Sequence, residues 1–228
     1  MAGKIESSKI ALRYSGSWTS YIYIFTLLVF LSGCVNQQYG NFADNVSPEQ
    51  KKVELKKRLE RRYNDAPTHF LLAQLYHADR SWDDAEFYYN NSLRFDPVYR
   101  PAQAGMVKLF VDRGDTLKAQ HYFENYLNQV GDIPSKIVEL GREFQEQGLD
   151  TYAMTCFNKG LTIAPKSAEV HKSLGYFYLS KNNKDKAREH FETSFNIDST
   201  QKDVARELGF LGVPIVYEGI PPVTEENK

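Results

Sequence analysis

The chain has 228 residues, with 28 Lys and Arg against 29 Asp and Glu, a formal net charge of −1, and 42% hydrophobic residues. This is a globular composition and excludes a chain disordered throughout. No basic stretch exceeds the run from Lys51 to Arg62, so nucleic acid is not expected as a partner, and two cysteines are too few for a disulfide framework or a thiolate zinc site.

In chain order, residues 1–33 read as an export signal. Lys4, Lys9 and Arg13 give a positive start, an apolar run extends from Tyr21 to Leu31, and Ser32 and Gly33 precede Cys34. An uncleaved membrane anchor is the competing reading, but the run is shorter than the roughly 18–20 apolar residues that a span requires. Leu31-Ser32-Gly33-Cys34 resembles the lipobox of bacterial lipoproteins. That resemblance implies cleavage before Cys34, acylation of Cys34, and a multi-chain lipid anchor. Val35, where an aspartate would imply inner-membrane retention, implies the outer membrane facing the periplasm. The chain from Cys34 onward carries a net charge of about −3. Residues 34–47 read as a flexible tether.

Residues 48–65 are predicted to form an N-terminal capping helix, with Val53, Leu55 and Leu59 as its apolar face. A repeat of 34 residues follows over 66–201, in units 66–99, 100–133, 134–167 and 168–201. Three columns carry it: Ala85, Ala119, Ala153 and Ala187; Tyr89, Phe123, Phe157 and Phe191; Tyr76, Phe110, Phe144 and Tyr178. Small residues where helices cross, each followed one turn later by an aromatic, let backbones approach and then fill the gap. Pro97 and Pro165, at position 32 of their units, end one helix before the next. The spacing predicts helix pairs over 67–80 and 83–96, 101–114 and 116–130, 134–148 and 150–164, and 167–181 and 184–197. Unit two, with bulky Val107 and Tyr126 at positions that are small elsewhere, is predicted to have a looser junction. Residues 202–212 restart the pattern as a C-terminal capping helix, and 213–228 read as an extended or disordered tail, with Ile215, Val216 and Tyr217 able to lie against the last helices.

This pattern resembles the tetratricopeptide repeat, which implies an all-α superhelix (α-solenoid) of antiparallel helix pairs. The family's position-4 tryptophan is absent, being His69, Gln103, Ile137 and His171. The family binds segments of partner proteins in a groove lined by positions 5, 9 and 12 of the first helices. Here these are Phe70, Gln74 and His77; Ala104, Lys108 and Val111; Val138, Arg142 and Gln145; and Lys172, Tyr176 and Leu179. The resemblance implies electrostatic contacts from Lys108, Arg142 and Lys172, aromatic anchors in Phe70 and Tyr176, and further contacts from Gln74, His77 and Gln145. The family's carboxylate clamp does not carry over, because Phe70 and Gln74 replace its Lys and Asn.

Catalytic inventory is thin. The five histidines form no HExxH motif and pair with no cysteine at ligand spacing, and no nucleophile elbow or phosphate-cradling loop appears. Cys156 reads as a small core residue. The expectation is a non-enzymatic scaffold without cofactor or metal. By architecture it is similar to lipoproteins of Flp-type (tight-adherence) pilus systems and to pilotins of type IV pilus secretins, which implies a pilus or secretion component, such as a secretin, as protein partner. The alternative is an adaptor for peptidoglycan-processing or outer-membrane assembly enzymes.

Overall fold

The computed structural model describes residues 46–214. The expectations for the signal, Cys34, the tether up to residue 45 and the tail from residue 215 lie outside them. The chain divides after Lys51 into two units. The first contributes only the start of α1 to the described part, where the Ser47 hydroxyl accepts from the Gln50 N–H (3.3 Å) and the Gln50 side-chain oxygen accepts from the Ser47 N–H (3.0 Å), a reciprocal cap.

Ten helices occupy the described residues: α1 (Pro48–Arg61), α2 (Ala66–Ala78), α3 (Trp82–Phe95), α4 (Arg100–Arg113), α5 (Thr116–Val130), α6 (Pro134–Glu146), α7 (Asp150–Ile163), α8 (Ala168–Ser180), α9 (Lys184–Ile197) and α10 (Lys202–Phe210). From α2 to α9 they form four antiparallel hairpins, an all-α solenoid that advances one hairpin every 34 residues. Prolines open α2, α4 and α6 in the first turn, where no hydrogen bond is lost. Asp115, Ser167 and Asn183 cap α5, α8 and α9 by accepting backbone N–H groups.

The turn inside each hairpin uses one left-handed residue at a fixed register: Arg80 (φ 59°), Gly114 (φ 86°), Gly148 (φ 71°) and Asn182 (φ 56°). This is the ordinary helix stop that glycine suits and arginine does not. Between the second and third hairpins, Gly131 stands where the first and third units have Pro97 and Pro165, with φ 61° and ψ −146°, a backbone region open essentially to glycine alone.

The alanine column is fully buried, as are Tyr89, Phe157 and Phe191, and Phe123 is buried. These aromatics take one of two seats. Phe157 presses on Gly141 and Phe191 on Gly175 of their own hairpins, so closely that a Cβ at either glycine would collide with the ring. Ala73 and Val107 hold that place in the first two hairpins, and there the ring leans forward instead. Tyr89 lies on Gly105 of α4, and Phe123 packs against Phe144 (5.3 Å) and Tyr152 (4.7 Å) of the next hairpin. A second series stacks Tyr76 on Tyr88, Phe110 on Tyr122 and Tyr178 on His190, with interplanar angles of 7°, 10° and 2°.

The hairpin α4–α5 has fewer close backbone approaches than the other three. Its cause is local. Ser92 and Ser194 tie their helices to the Ala66 and Ala168 carbonyls (2.9 and 2.7 Å), whereas the same register in α5 holds Tyr126, whose ring wedges the pair apart and rests near Tyr122 (6.0 Å). A polar network replaces the missing tie: buried Gln103 accepts from Arg100 (2.7 Å) and donates to Gln129 (2.7 Å) and the Pro97 carbonyl (2.8 Å).

At the N-terminal side the apolar face of α1 differs from expectation. Leu59 is buried and Leu55 half-buried, but Val53 is exposed, and buried Lys52 takes its place. The Lys52 ammonium pairs with Asp79 and lies 4.7 Å from the Tyr76 ring centre, so its aliphatic stem covers the first hairpin while its charge is met. At the other end α10 buries Val204, Ala205 and Leu208 against the last hairpin.

Candidate functional site

The first helices of successive hairpins touch one another, α2 with α4, α4 with α6 and α6 with α8, and their shared face carries the residues that the sequence pattern singles out. In the first three hairpins position 5 is not on it. Phe70, Ala104 and Val138 are buried, and only Lys172 of the fourth hairpin is part-exposed at this position. Phe70 meets the edge of Tyr99 (5.6 Å) and tilts onto Tyr89 (6.1 Å), which corrects its reading as an anchor open to a partner.

The three expected cations already have carboxylates. Lys108 pairs with Asp112 one turn along α4. The Arg142 guanidinium donates to Ser173 (3.1 and 3.2 Å) and to Glu169 (3.1 Å) of α8. Lys172 pairs with Asp203 of α10 at 3.3 Å. Gln145 likewise reaches forward, donating to the Ser180 hydroxyl at 3.2 Å. Arg142, Lys172 and Gln145 are thus rungs between consecutive first helices.

Tyr176 is covered from two sides. Its ring meets the edge of Phe191 at 5.0 Å, and its hydroxyl bonds to Asp203, with burial first and the Asp203 charge next pushing it up to about 12. The start of α10 therefore occupies the unit-four part of the expected groove, and Lys172 and Tyr176 serve to seat that helix.

What remains open is a cleft of about 580 Å³ over the first two hairpins, lined by Gln74, His77, Arg80, Trp82, Lys108 and Asp112, with Gln147 at its far side. His77 organises it. Its Nε2 lies 3.1 Å from the Asp112 carboxylate, which can only accept, so this nitrogen carries the proton and Nδ1 is left to accept from the Tyr89 hydroxyl at 3.3 Å. Burial holds the His77 imidazole below its ordinary value, against the opposing pull of Asp112, so it is neutral at pH 7. Trp82 meets the His77 ring edge-on at 5.7 Å. Among the described residues no carboxylate pairs with Arg80, whose exposed side chain stands at the cleft margin.

Gln74, His77 and Lys108 were legible in the groove register; Arg80, Trp82, Asp112 and Gln147 were not. A signal for Arg80 exists, since the columns 34, 68 and 102 residues later hold Gly114, Gly148 and Asn182, and an arginine among them is out of pattern.

Cys156 is buried, with burial pushing its thiol up to about 12, so it is a packed apolar group. Among the described residues there is no cluster of three or more His, Cys, Asp or Glu able to hold a metal ion, and no helix long and apolar enough to cross a membrane.

The family model described as tetratricopeptide repeat matches residues 168–201, the span of α8 and α9. No curated protein matches the sequence. Solved structures similar to the chain include one described as the functional characterization of Pseudomonas aeruginosa pilF, at 21% identity and TM-score 0.36 over 64% of this chain and 67% of that one. MamA from Desulfovibrio magneticus RS-1 is similar at 16% identity and TM-score 0.37 over 73% and 96%. For the Cut9–Hcn1 hetero-tetramer the values are 16% and 0.37, over 73% of this chain but 33% of that one. The fold is an all-α, tetratricopeptide-like helical repeat; similarity at this level assigns no shared partner.

Proposed function

We propose that this protein is a non-enzymatic scaffold that holds a segment of a partner protein against its first helices, with the cleft between α2 and α4 as the principal contact. The observation that carries the reading is that one cleft holds Arg80, which no carboxylate among the described residues meets, and Trp82, beside the His77–Asp112–Lys108 cluster. A partner suited to it presents a carboxylate to Arg80 and an apolar side chain to Trp82, the two kinds of contact that dominate binding energy at such sites. Lys108, Arg142 and Lys172 are left a structural part, since each already meets a carboxylate within the chain.

The reading extends to location. Acylation of Cys34 anchors the scaffold to the outer membrane, facing the periplasm, where it assists assembly of a pilus or secretion machine. This part rests on Lys4, Lys9 and Arg13, the apolar run to Leu31 and the Leu31-Ser32-Gly33-Cys34 sequence.

Two changes test the parts separately. Cys34→Ala releases the protein from the membrane fraction on cell fractionation; a variant that stays as membrane-bound as the parent contradicts the anchor. Arg80→Glu abolishes co-isolation of the envelope partner while the circular dichroism spectrum stays helical; unchanged co-isolation removes the cleft from the interface. Recovery of a pilin, secretin or secretion ATPase in the parent complex supports the assembly role, and recovery of murein hydrolases instead refutes it in favour of an adaptor.

A further inference from the structure

The fourth hairpin carries a pair of imidazoles that the scaffold role does not use. His171 in α8 and His190 in α9 place their Nδ1 atoms 3.1 Å apart, with ring centroids at 5.4 Å. Each is half-buried. They stand 19 positions apart, so no short ligand motif reveals the pair in sequence; the antiparallel hairpin brings them together.

We propose that His171 and His190 form a two-imidazole site for a divalent transition cation of the zinc, nickel and copper class, its remaining positions filled by water. The spacing fits. Metal–nitrogen bonds of about 2.0–2.1 Å, meeting at angles between square and tetrahedral, put two ligand nitrogens about 2.9–3.4 Å apart. The tautomers fit as well. His171 Nε2 lies 3.1 Å from the Pro165 carbonyl, an acceptor only, so Nε2 holds the proton and the Nδ1 lone pair faces His190. A ligand histidine whose other nitrogen donates to a backbone carbonyl is the arrangement that metal sites use to fix ring orientation and raise basicity.

His190 is held from the other side. Its ring stacks on Tyr178 at 5.4 Å and 2°, which holds the plane of the imidazole. Without metal, one proton is shared between the facing nitrogens. On binding, that proton moves through solvent to His190 Nε2, both Nδ1 lone pairs turn to the cation, and no net proton is lost. Lys186, whose ammonium covers the Tyr178 ring at 5.0 Å, opposes the incoming charge, while Glu189 favours it. The bound ion would clamp α8 to α9.

The test is titration of the full chain, purified without a polyhistidine tag, with zinc, nickel and copper chlorides, read by calorimetry and by the melting temperature. One cation per chain is expected to bind and to raise the melting temperature, with copper binding most tightly. Electron paramagnetic resonance of the copper complex should show coupling to nitrogen. His171→Gln, which keeps an N–H for Pro165, and His190→Phe, which keeps the stack on Tyr178, should each weaken binding by about tenfold or more, while His121→Ala leaves it unchanged. Equal affinity in parent and both variants, or no saturable binding below about 1 mM, overturns the proposal.

Discussion

Tyr89 of α3 lies so close over Gly105 of α4 that a Cβ built on that glycine would stand 2.5 Å from the ring. The contact crosses from the first hairpin to the second, and it exists because Ala73 denies the ring a glycine seat within its own hairpin. The Tyr89 hydroxyl is also the group that orients His77, so hairpin stacking and cleft geometry meet at one side chain. Gly105→Ala is therefore expected to lower unfolding free energy by about 1–3 kcal/mol, the ordinary cost of overpacking a tight core. Urea denaturation measures it; a loss below about 0.5 kcal/mol would mean that Tyr89 can move aside freely.

Arg80 works in the opposite direction. Its φ of 59° is a conformation that costs a side-chain-bearing residue about 1–2 kcal/mol, part of which glycine recovers after its own entropic loss. Arg80→Gly should raise stability by about 0.5–1 kcal/mol and at the same time weaken partner binding. Better folding with poorer binding in one variant would identify Arg80 as a residue kept for recognition against its backbone preference. Unchanged binding would contradict that role.

Acid should loosen the cleft. Burial sets the His77 value in the folded chain below the ordinary 6.5, so the unfolded chain takes up this proton first. The stability that neutral His77 contributes is fully present above pH 6.5 and is lost as the pH falls from there toward the lower folded value. His190, also held low, adds a slope of the same sign. His77→Gln should flatten, without abolishing, the decline in unfolding free energy between pH 7 and pH 5, the range in which histidines ordinarily titrate. A decline identical to that of the parent would mean that His77 is not buried against Asp112 and Tyr89.

The architecture was legible because its signal is redundant. Every alanine in the column from Ala85 to Ala187 is fully buried, and the helices begin within a residue of the positions that the period implies. Which glycine receives which ring was not legible, since Gly105 lies outside the register of Gly141 and Gly175, and its pairing with Tyr89 depends on a contact between hairpins. The candidate site was legible by position but not by state. The groove register is read from the sequence, yet Phe70 is buried and Lys172 and Tyr176 seat α10, because a helix register gives direction and says nothing of what comes to lie opposite. Val53 failed for a related reason: Asp79 and Tyr76 together stabilise a buried Lys52 more than hydropathy alone implies.

Site-specific photo-crosslinking in the native envelope tests the central claim most directly. A photoreactive side chain replacing Gln74, on the cleft, and one replacing Gln120, exposed on α5, report the two faces of the same solenoid. The account predicts a discrete crosslinked partner from position 74, reduced by Arg80→Glu, and none from position 120. Crosslinking from position 120 alone, or equally from both, would contradict a partner held against the first helices.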